Sequence, residues 1–353
     1  MAQEALSVPV LKLGPSASDK PRTYWQMVLG KLWADKLTVF ALVLMIFIIS
    51  ITLGAEWIGD NVLGFDPTKT SLRDRNDPPT WAAESWPMFQ DFSNTCQSET
   101  GCNWSLWGSI FSESGTGLRS CFTAELGTCH WLGTDDAGRD VLTRAVYGGR
   151  ISLRIGIFVA TISMTLGIVL GLISGYYAAT LIDDLVNAVI MTLGSIPLLF
   201  LLIILSSIFR PSPEGLAFLL GIFGWMGISK LIRGQIFSIR EREYIVSSRA
   251  LGASVWRIMF RHILPNVSSI VIVAAVFNVA GAIIAEAGLS YLGVGIGPPH
   301  SSWGNMMNGS LGSFSKAPWL VFTPGFFIFL TTLSIYLLGD GLRDALDPWL
   351  QKR

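Results

Sequence analysis

Six apolar stretches punctuate the chain, at 37–53, 155–179, 185–209, 216–232, 267–285 and 319–338. Each approaches the roughly 20 residues that an α-helix needs to cross a bilayer. Five lack Asp, Glu, Lys and Arg altogether, and the fourth carries Lys230 near its end. The fourth is the weakest of the set, because its uncharged run, 216–229, is short enough for a re-entrant segment; snorkelling of Lys230 and Arg233 to the interface favours a span. The pattern predicts an all-α polytopic membrane protein with about six transmembrane helices. Pro197 is expected to kink the third of them.

Composition agrees: only 14% of the 353 residues are charged, against about 25% in soluble domains, and the mean hydropathy is +0.51. The net charge of zero hides an asymmetry. With the N-terminus inside, the inner segments hold Lys12, Lys20, Arg22, Lys31 and Lys36, then Lys230, Arg233, Arg240, Arg242, Arg249, Arg257 and Arg261, then Arg343, Lys352 and Arg353, whereas the two short outer loops hold Arg210 and Lys316. That is the distribution of the positive-inside rule, and the long loop after the first span does not outvote it. The predicted organisation is a cytoplasmic tail (1–36), a first span (37–54), an extracytoplasmic insert (55–137), a membrane core (138–340) that includes a basic cytoplasmic segment (234–265), and a cytoplasmic C-terminal tail (341–353). The first apolar run starts too late for a secretory signal, so the first span is expected to remain as an anchor.

All four cysteines, Cys96, Cys102, Cys121 and Cys129, fall in the insert. Confined to an oxidising compartment, they predict two disulfides with three possible pairings. A metal site aided by His130 is the competing reading, and the C-x5-C and C-x7-C spacings do not match structural zinc pairs. Trp81, Trp86, Trp104, Trp107 and Trp131 make the segment too aromatic for a disordered linker. It is expected to form a small cap that docks a soluble partner, shields a pathway mouth or simply stabilises the subunit.

The segment from Arg233 to Pro265 is mostly helix-compatible, with Gly252 as its breaker. Ile245, Ser248 and Leu251, then Val255, Ile258, Met259 and Ile263, recur at helical spacing. The expectation is two short helices meeting at Gly252, where a left-handed turn costs least, with Ser254 capping the second. Arg249, Arg257 and Arg261 are expected on one broad side, and Pro265 is expected to open the fifth span. A helix lying on anionic lipid is the alternative; Glu241 and Glu243 among the arginines, and the glycine elbow, favour docking to a protein.

Ser247-Ser-Arg-Ala-Leu-Gly252 followed by His262-Ile-Leu-Pro265 resembles the EAA loop of membrane subunits of binding-protein-dependent ABC importers, with the general form E-A-A-x3-G-x9-I-x-L-P. Gly252, Leu264 and Pro265 match it. Val246 stands in place of the Glu, Ser247 and Ser248 in place of the alanines, and His262 in place of the Ile; Glu243 lies one turn before Val246. Leu132-Gly-Thr-Asp-Asp-Ala-Gly-Arg-Asp-Val141 with Tyr147-Gly-Gly-Arg-Ile-Ser152, Leu289-Ser-Tyr-Leu-Gly-Val-Gly295 leading to Ser302-Trp-Gly-Asn305, and Leu338-Gly-Asp-Gly-Leu-Arg-Asp-Ala-Leu-Asp-Pro348 are similar to the dipeptide, oligopeptide and nickel branch of that family. The cysteine-bearing insert matches no part of the pattern.

The resemblance implies the type I importer fold and a subunit that does no chemistry itself. It would form half of a pathway with a second, homologous permease in the lipid bilayer of a bacterial or archaeal plasma membrane. A soluble binding protein would deliver peptides or similar small solutes, and two ABC ATPase subunits would hold ATP and Mg. Nucleic acid is not among the implied partners. Docking to the ATPase would fall on the 241–265 stretch: Glu243, Ser247, Ser248, Arg249, Ala250, Gly252, Ala253, Arg257, Leu264 and Pro265. Within the spans, Pro197, Asn278 and Glu286 are candidates for the pathway; Asn278 and Asn187 either contact polar cargo or tie helices together, and Glu286 either lines the outer part of the pathway or sits at the interface, hydrogen-bonded to loop backbone.

No G-x4-G-K-[ST] phosphate loop occurs. Gly293, Gly295 and Gly297 follow no strand and precede a Pro-Pro pair, so they are not a dinucleotide fingerprint. His130, His262 and His300 are scattered, and no catalytic or metal constellation emerges. An ATP-independent secondary transporter or channel remains the alternative, and would be expected to show midplane carboxylates or inverted repeats, neither of which is seen.

Overall fold

The computed structural model describes residues 24–71, 74–79, 130–209 and 211–346. The four cysteines, and with them the expected disulfides, lie outside the described residues.

Helix α1 (Tyr24–Ala34) ends at Asp35, which caps α2 (Lys36–Leu53). The Asp35 carboxylate accepts from the amides of Leu37 at 3.3 Å and Thr38 at 3.1 Å and from the Thr38 hydroxyl. The hydroxyl first, and then these amides, hold its pKa below the usual carboxylate range. After α2 the chain makes a short helix, α3 (Ala55–Ile58), and a π-helical turn (Gly59–Leu63) that Gly64 ends at φ +73°.

The chain from 130 to 140 pairs with residues near 71–77: Thr134 donates its amide to Asp77 at 3.0 Å, and Ser71 donates to Ala137 at 3.1 Å. Asp140 then caps α4 (Val141–Tyr176), its Oδ1 accepting the amide and the hydroxyl of Thr143, each at 2.7 Å. This helix starts well before the apolar run predicted at 155. The charges that bounded that run have partners: Arg144 pairs with Asp135, Arg150 with Glu56 at 2.6 Å, and Arg154 with Glu214 at 2.7 Å.

The predicted third span is two helices, α5 (Leu181–Gly194) and α6 (Leu198–Phe209), bent by 74°. The bend falls at Pro197, where the kink is expected, and is large enough to break the helix. Pro197 has no N–H to bond one turn back and its ring clashes with that turn, and the Ser195 hydroxyl bonds to the Thr192 carbonyl at 2.7 Å. The weakest predicted span is by contrast one regular helix, α7 (Pro213–Ile239), opened by Pro213 in its first turn and capped by Ser212.

After α7 come α8 (Glu243–Ala250), α9 (Val255–Arg257) and a π-helical turn (Ile258–Ile263) that leads into α10 (Leu264–Tyr291). Pro265 stands in the first turn of α10, as expected, and the helical turns ahead of it extend the run to 37 residues, Val255 to Tyr291. The Leu264 amide reaches back to Met259, and this looser turn accommodates a proline within the longer run. A short helix α11 (Trp303–Met306) precedes α12 (Trp319–Leu346), which runs past the predicted end of the membrane core at 340. Among the described residues five helices are long and apolar enough to cross a membrane, or six if the bent pair counts as one span.

The helices pack in a row, α7 on α4, α4 on α10, α10 on α12 and α12 on α2. The α4–α7 seam is the most extensive, and its sequence explains why. Gly167, Gly171 and Gly175 stand one turn apart on α4 against Ile228, Ile232 and Ile236 of α7; a Cβ on Gly171 would lie 2.9 Å from Ile232 Cβ and 2.9 Å from the Ser229 carbonyl. Farther along, Gly221 and Gly224 of α7 reciprocate against Ile162 and Ser163. Small residues repeated every four positions let two helices approach in a medium that offers no hydrophobic drive to association.

Gly171→Val is expected to lower the midpoint of thermal unfolding in detergent, since overpacking costs about 1–3 kcal/mol. Gly227→Ala and Gly234→Ala, which meet open space on the same α7, should leave it unchanged or raise it. Gel filtration after heating reads both; equal behaviour of the two classes would contradict the close approach.

Candidate coupling site

The segment 240–264 forms an elbow at one end of the bundle. Ile245 of α8, and Ile258, Met259 and Ile263 of the following run, are buried in one cluster with Leu172, Ile232, Ile236, Ile239 and Val267. These apolar anchors fix the elbow on α4, α7 and α10. Gly252 turns the chain at φ +80°, where an L side chain is strained. The Ala253 amide bonds to Ser248 at 3.1 Å, and Ser254 caps α9 through the Arg257 amide at 3.4 Å.

The outer side of the elbow is open. A Cβ on Gly252 would meet nothing within 4 Å. Leu251 is 88% exposed and Trp256 61%, and Trp256 stacks on Phe260 with ring centroids 5.5 Å apart. Glu243, Ser247, Arg249, Ala250, Arg257, Arg261 and Pro265 are exposed; Ser248, Ala253 and Leu264 are half-buried. Ser248 turns its hydroxyl back to the Tyr244 carbonyl at 2.7 Å, while Ala253 and Leu264 pack on the elbow core. Glu243 and Val246 are three residues apart on α8, neighbours on one face. The elbow thus shows a small apolar knob, Leu251 and Trp256, within a rim of charge.

Sequence reasoning missed the polar joint beneath. Asp183, in the first turn of α5, accepts both Nε and Nη2 of Arg233 at 2.7 Å each. It also accepts Ser174 Oγ at 2.5 Å, the Ala179 amide at 3.1 Å and Asn187 Nδ2 at 2.7 Å. Asn187 therefore serves its own helix and does not tie it to a neighbour. An acidic residue opening one apolar segment and an arginine closing another was the signal available.

At the far end of the bundle a second joint forms around Glu286, which is fully buried. Its carboxylate accepts the hydroxyls of Ser290 and Ser302 at 2.7 Å and of Ser152 at 3.0 Å. Each serine accepts a backbone amide in turn: Ile296 on Ser290 at 3.0 Å, Trp303 on Ser152 at 3.3 Å and Asn305 on Ser302 at 3.1 Å. Glu286 is enclosed in this structure, a joint between α4, α10 and the 292–302 loop. Asn278 accepts from Ser163 at 2.8 Å across the α4–α10 contact. Pro197 lies at the 74° break. Beside this joint Arg144 bridges Asp135 and Asn305, and His130 Nδ1 sits 3.0 Å from Asp140 Oδ2.

Residues 167–352, just over half of the chain, match the family described as the binding-protein-dependent transport system inner membrane component. The chain belongs to this family. Residues 23–79 match the N-terminal TM domain of oligopeptide transport permease C, which covers α1 to α3 and was not recognised in the sequence. The dipeptide transport system permease protein DppC of Bacillus subtilis (strain 168) is 40% identical over 224 residues, 63% of this chain and 70% of that protein. The oligopeptide transport system permease protein OppC of the same strain is 37% identical over 223 residues, 63% and 73% respectively. The OppC of Haemophilus influenzae (strain ATCC 51907 / DSM 11121 / KW20 / Rd) is 39% identical over 219 residues, 62% and 70%.

The permease is a multi-pass inner-membrane subunit of an ABC importer, and the ATPase is a separate subunit. The ATP-independent reading falls with this membership. The elbow of the permease lies within the matched region, as does Glu286.

Glu286→Ala is expected to loosen the 292–302 loop, because a buried hydroxyl left without its partner costs about 1–3 kcal/mol. Proteolysis of the detergent-solubilised permease should accelerate in that loop while cleavage across 240–255 stays at the wild-type rate; Glu286→Gln should lie between. Uniform acceleration at both ends would refute a local joint.

Proposed function

We propose that this permease moves peptides or similar small solutes as half of a pathway completed by a second, homologous permease, and that its elbow docks one of two ABC ATPase subunits. The names of its relatives support the cargo class. The observation that carries the docking assignment is the open side of the elbow: exposed Leu251 and Trp256 beside a left-handed Gly252, on a segment buried from behind by Ile245, Ile258 and Ile263. A surface so anchored and so apolar in the middle, with a charged rim, suits insertion into a cleft of a partner protein. Glu243, Ser247, Ser248, Arg249, Ala250, Ala253, Arg257, Leu264 and Pro265 surround or support it. ATP and Mg are held by the partner subunits, and a soluble binding protein presents the solute at the opposite face.

The basic residues of the elbow and of the tails support a cytoplasmic position for this end and for both termini. Residues 55–137 then face outward, where Cys96, Cys102, Cys121 and Cys129 form two disulfides. The insert falls largely between the two matched regions, a position suited to an addition on the outer face of the family core. In intact cells these thiols should resist a membrane-impermeant maleimide and react only after reduction; labelling of all four without reductant would overturn the disulfides.

Docking is tested by pull-down of the tagged permease from its native membrane. The wild type is expected to bring an ABC ATPase and a second permease. Gly252→Arg, which adds a long side chain at the open face and strains the turn, should lose the ATPase while keeping the second permease. Leu251→Asp, at a position 88% exposed and therefore harmless to the fold, should weaken ATPase recovery at least tenfold. Undiminished recovery by both variants would sink the assignment.

A further inference from the structure

The turn between α4 and α5, residues 176–181, is held in a way that capping alone does not require. Ala179 sits at φ +64°, in the left-handed region that non-glycine residues enter only when their surroundings over-determine them. Three arginines grip this turn and the helix it opens. Arg233 of α7 forms the bidentate pair with Asp183, whose other hydrogen bonds reach Ser174 on α4 and the Ala179 amide itself. Arg240, at the end of α7, donates to the carbonyls of Ala178 at 3.1 Å and Tyr176 at 3.4 Å. Arg249, on α8 of the elbow, lies with its guanidinium carbon 5.4 Å from the centroid of the Tyr176 ring, within cation–π range.

The helix beyond this turn is otherwise lightly held. Only Asp183, Val186 and Ile190 of α5 are buried, the two apolar ones against Trp225, while Leu181, Leu185 and Met191 are 86%, 68% and 71% exposed. At its far end α5 meets the 74° break, which separates it mechanically from α6. A helix clamped at one end by charge and held along its length by only two buried apolar side chains follows the body that grips its clamp.

We propose that Tyr176 and Asp183 are positioning residues that transmit displacement of the elbow to α5. The elbow then has two outputs: α10, through the helical run from Val255, and α5, through the arginine clamp. The proposal rests on the docking assignment, since it is the docked elbow that moves. A purely structural turn would stabilise the fold without making α5 respond to nucleotide, and that difference is measurable.

The test uses the complex purified with its ATPase and hydrogen–deuterium exchange read by mass spectrometry, without nucleotide and with Mg-ATP plus vanadate. In the wild type the nucleotide state is expected to change exchange in both 176–194 and 264–291. Tyr176→Leu and Asp183→Asn should keep the response in 264–291 and lose it in 176–194, and Tyr176→Phe, which retains the ring, should respond as the wild type does. Variants that assemble and still show the full response in 176–194, or a wild type whose 176–194 segment ignores nucleotide, would overturn the clamp alone. A wild-type complex that contains no ATPase would overturn both the clamp and the docking assignment.

Discussion

The close approach of α4 and α7 is the constraint on which the rest of the structure depends. Three glycines against three isoleucines bring the two backbones together along about two turns, and the reciprocal glycines of α7 extend the seam toward the other end. Water drives this contact only weakly, because both helices are already surrounded by apolar matter; dispersion between close-packed surfaces carries it. Everything functional hangs from one end or the other of this seam. At one end α7 delivers Arg233 and Arg240 to the α4–α5 turn, and at the other α4 delivers Arg144 and Ser152 to the joints around Asp135 and Glu286.

Polar groups do the opposite work from glycine: they fix register where packing alone permits sliding. A buried carboxylate without partners is prohibitively costly, so its donors must arrive together. Glu286 draws three serines, and each of these holds a backbone amide of the 292–305 stretch. Asp183 draws Arg233, Ser174 and the Ala179 amide. Both carboxylates join three segments of chain, and both sit where a span meets a loop. A joint of that kind resists small displacements and, once a partner is pulled, moves as a unit.

The spans were legible because hydropathy reports length and apolarity directly. The elbow was legible from one glycine and from the spacing of Ile245, Ile258 and Ile263, which the structure buries in one cluster. What hydropathy does not report is continuity. The weak fourth stretch became a regular helix because its charges, Lys230 and Arg233, sit at the end where they find water or a partner, and the strong third stretch broke because Pro197 removes a hydrogen bond that no apolar neighbour replaces. Hydropathy hid the start of α4 at Val141 for a similar reason, although the expected bound of the core at 138 lay near it: Arg150 and Arg154 read as the edge of a span until Glu56 and Glu214, distant in sequence, are seen beside them. Ion pairs between segments far apart in the chain have no local signature.

Placement of Pro265 shows how one residue type carries two meanings. At the first turn of a helix a proline is free of cost, and the sequence suggested such a start. The structure has it in the first turn of α10 and also continues the helical run behind it through a π-helical turn. An unbroken run from Val255 to Tyr291 turns α10 into a lever whose short arm lies under the exposed face of the elbow and whose long arm ends beside Glu286. The widened turn is the part of that lever with the loosest backbone hydrogen bonding. A push on the elbow is therefore either absorbed there or passed along α10, and stiffness at the turn, more than packing along the span, decides which.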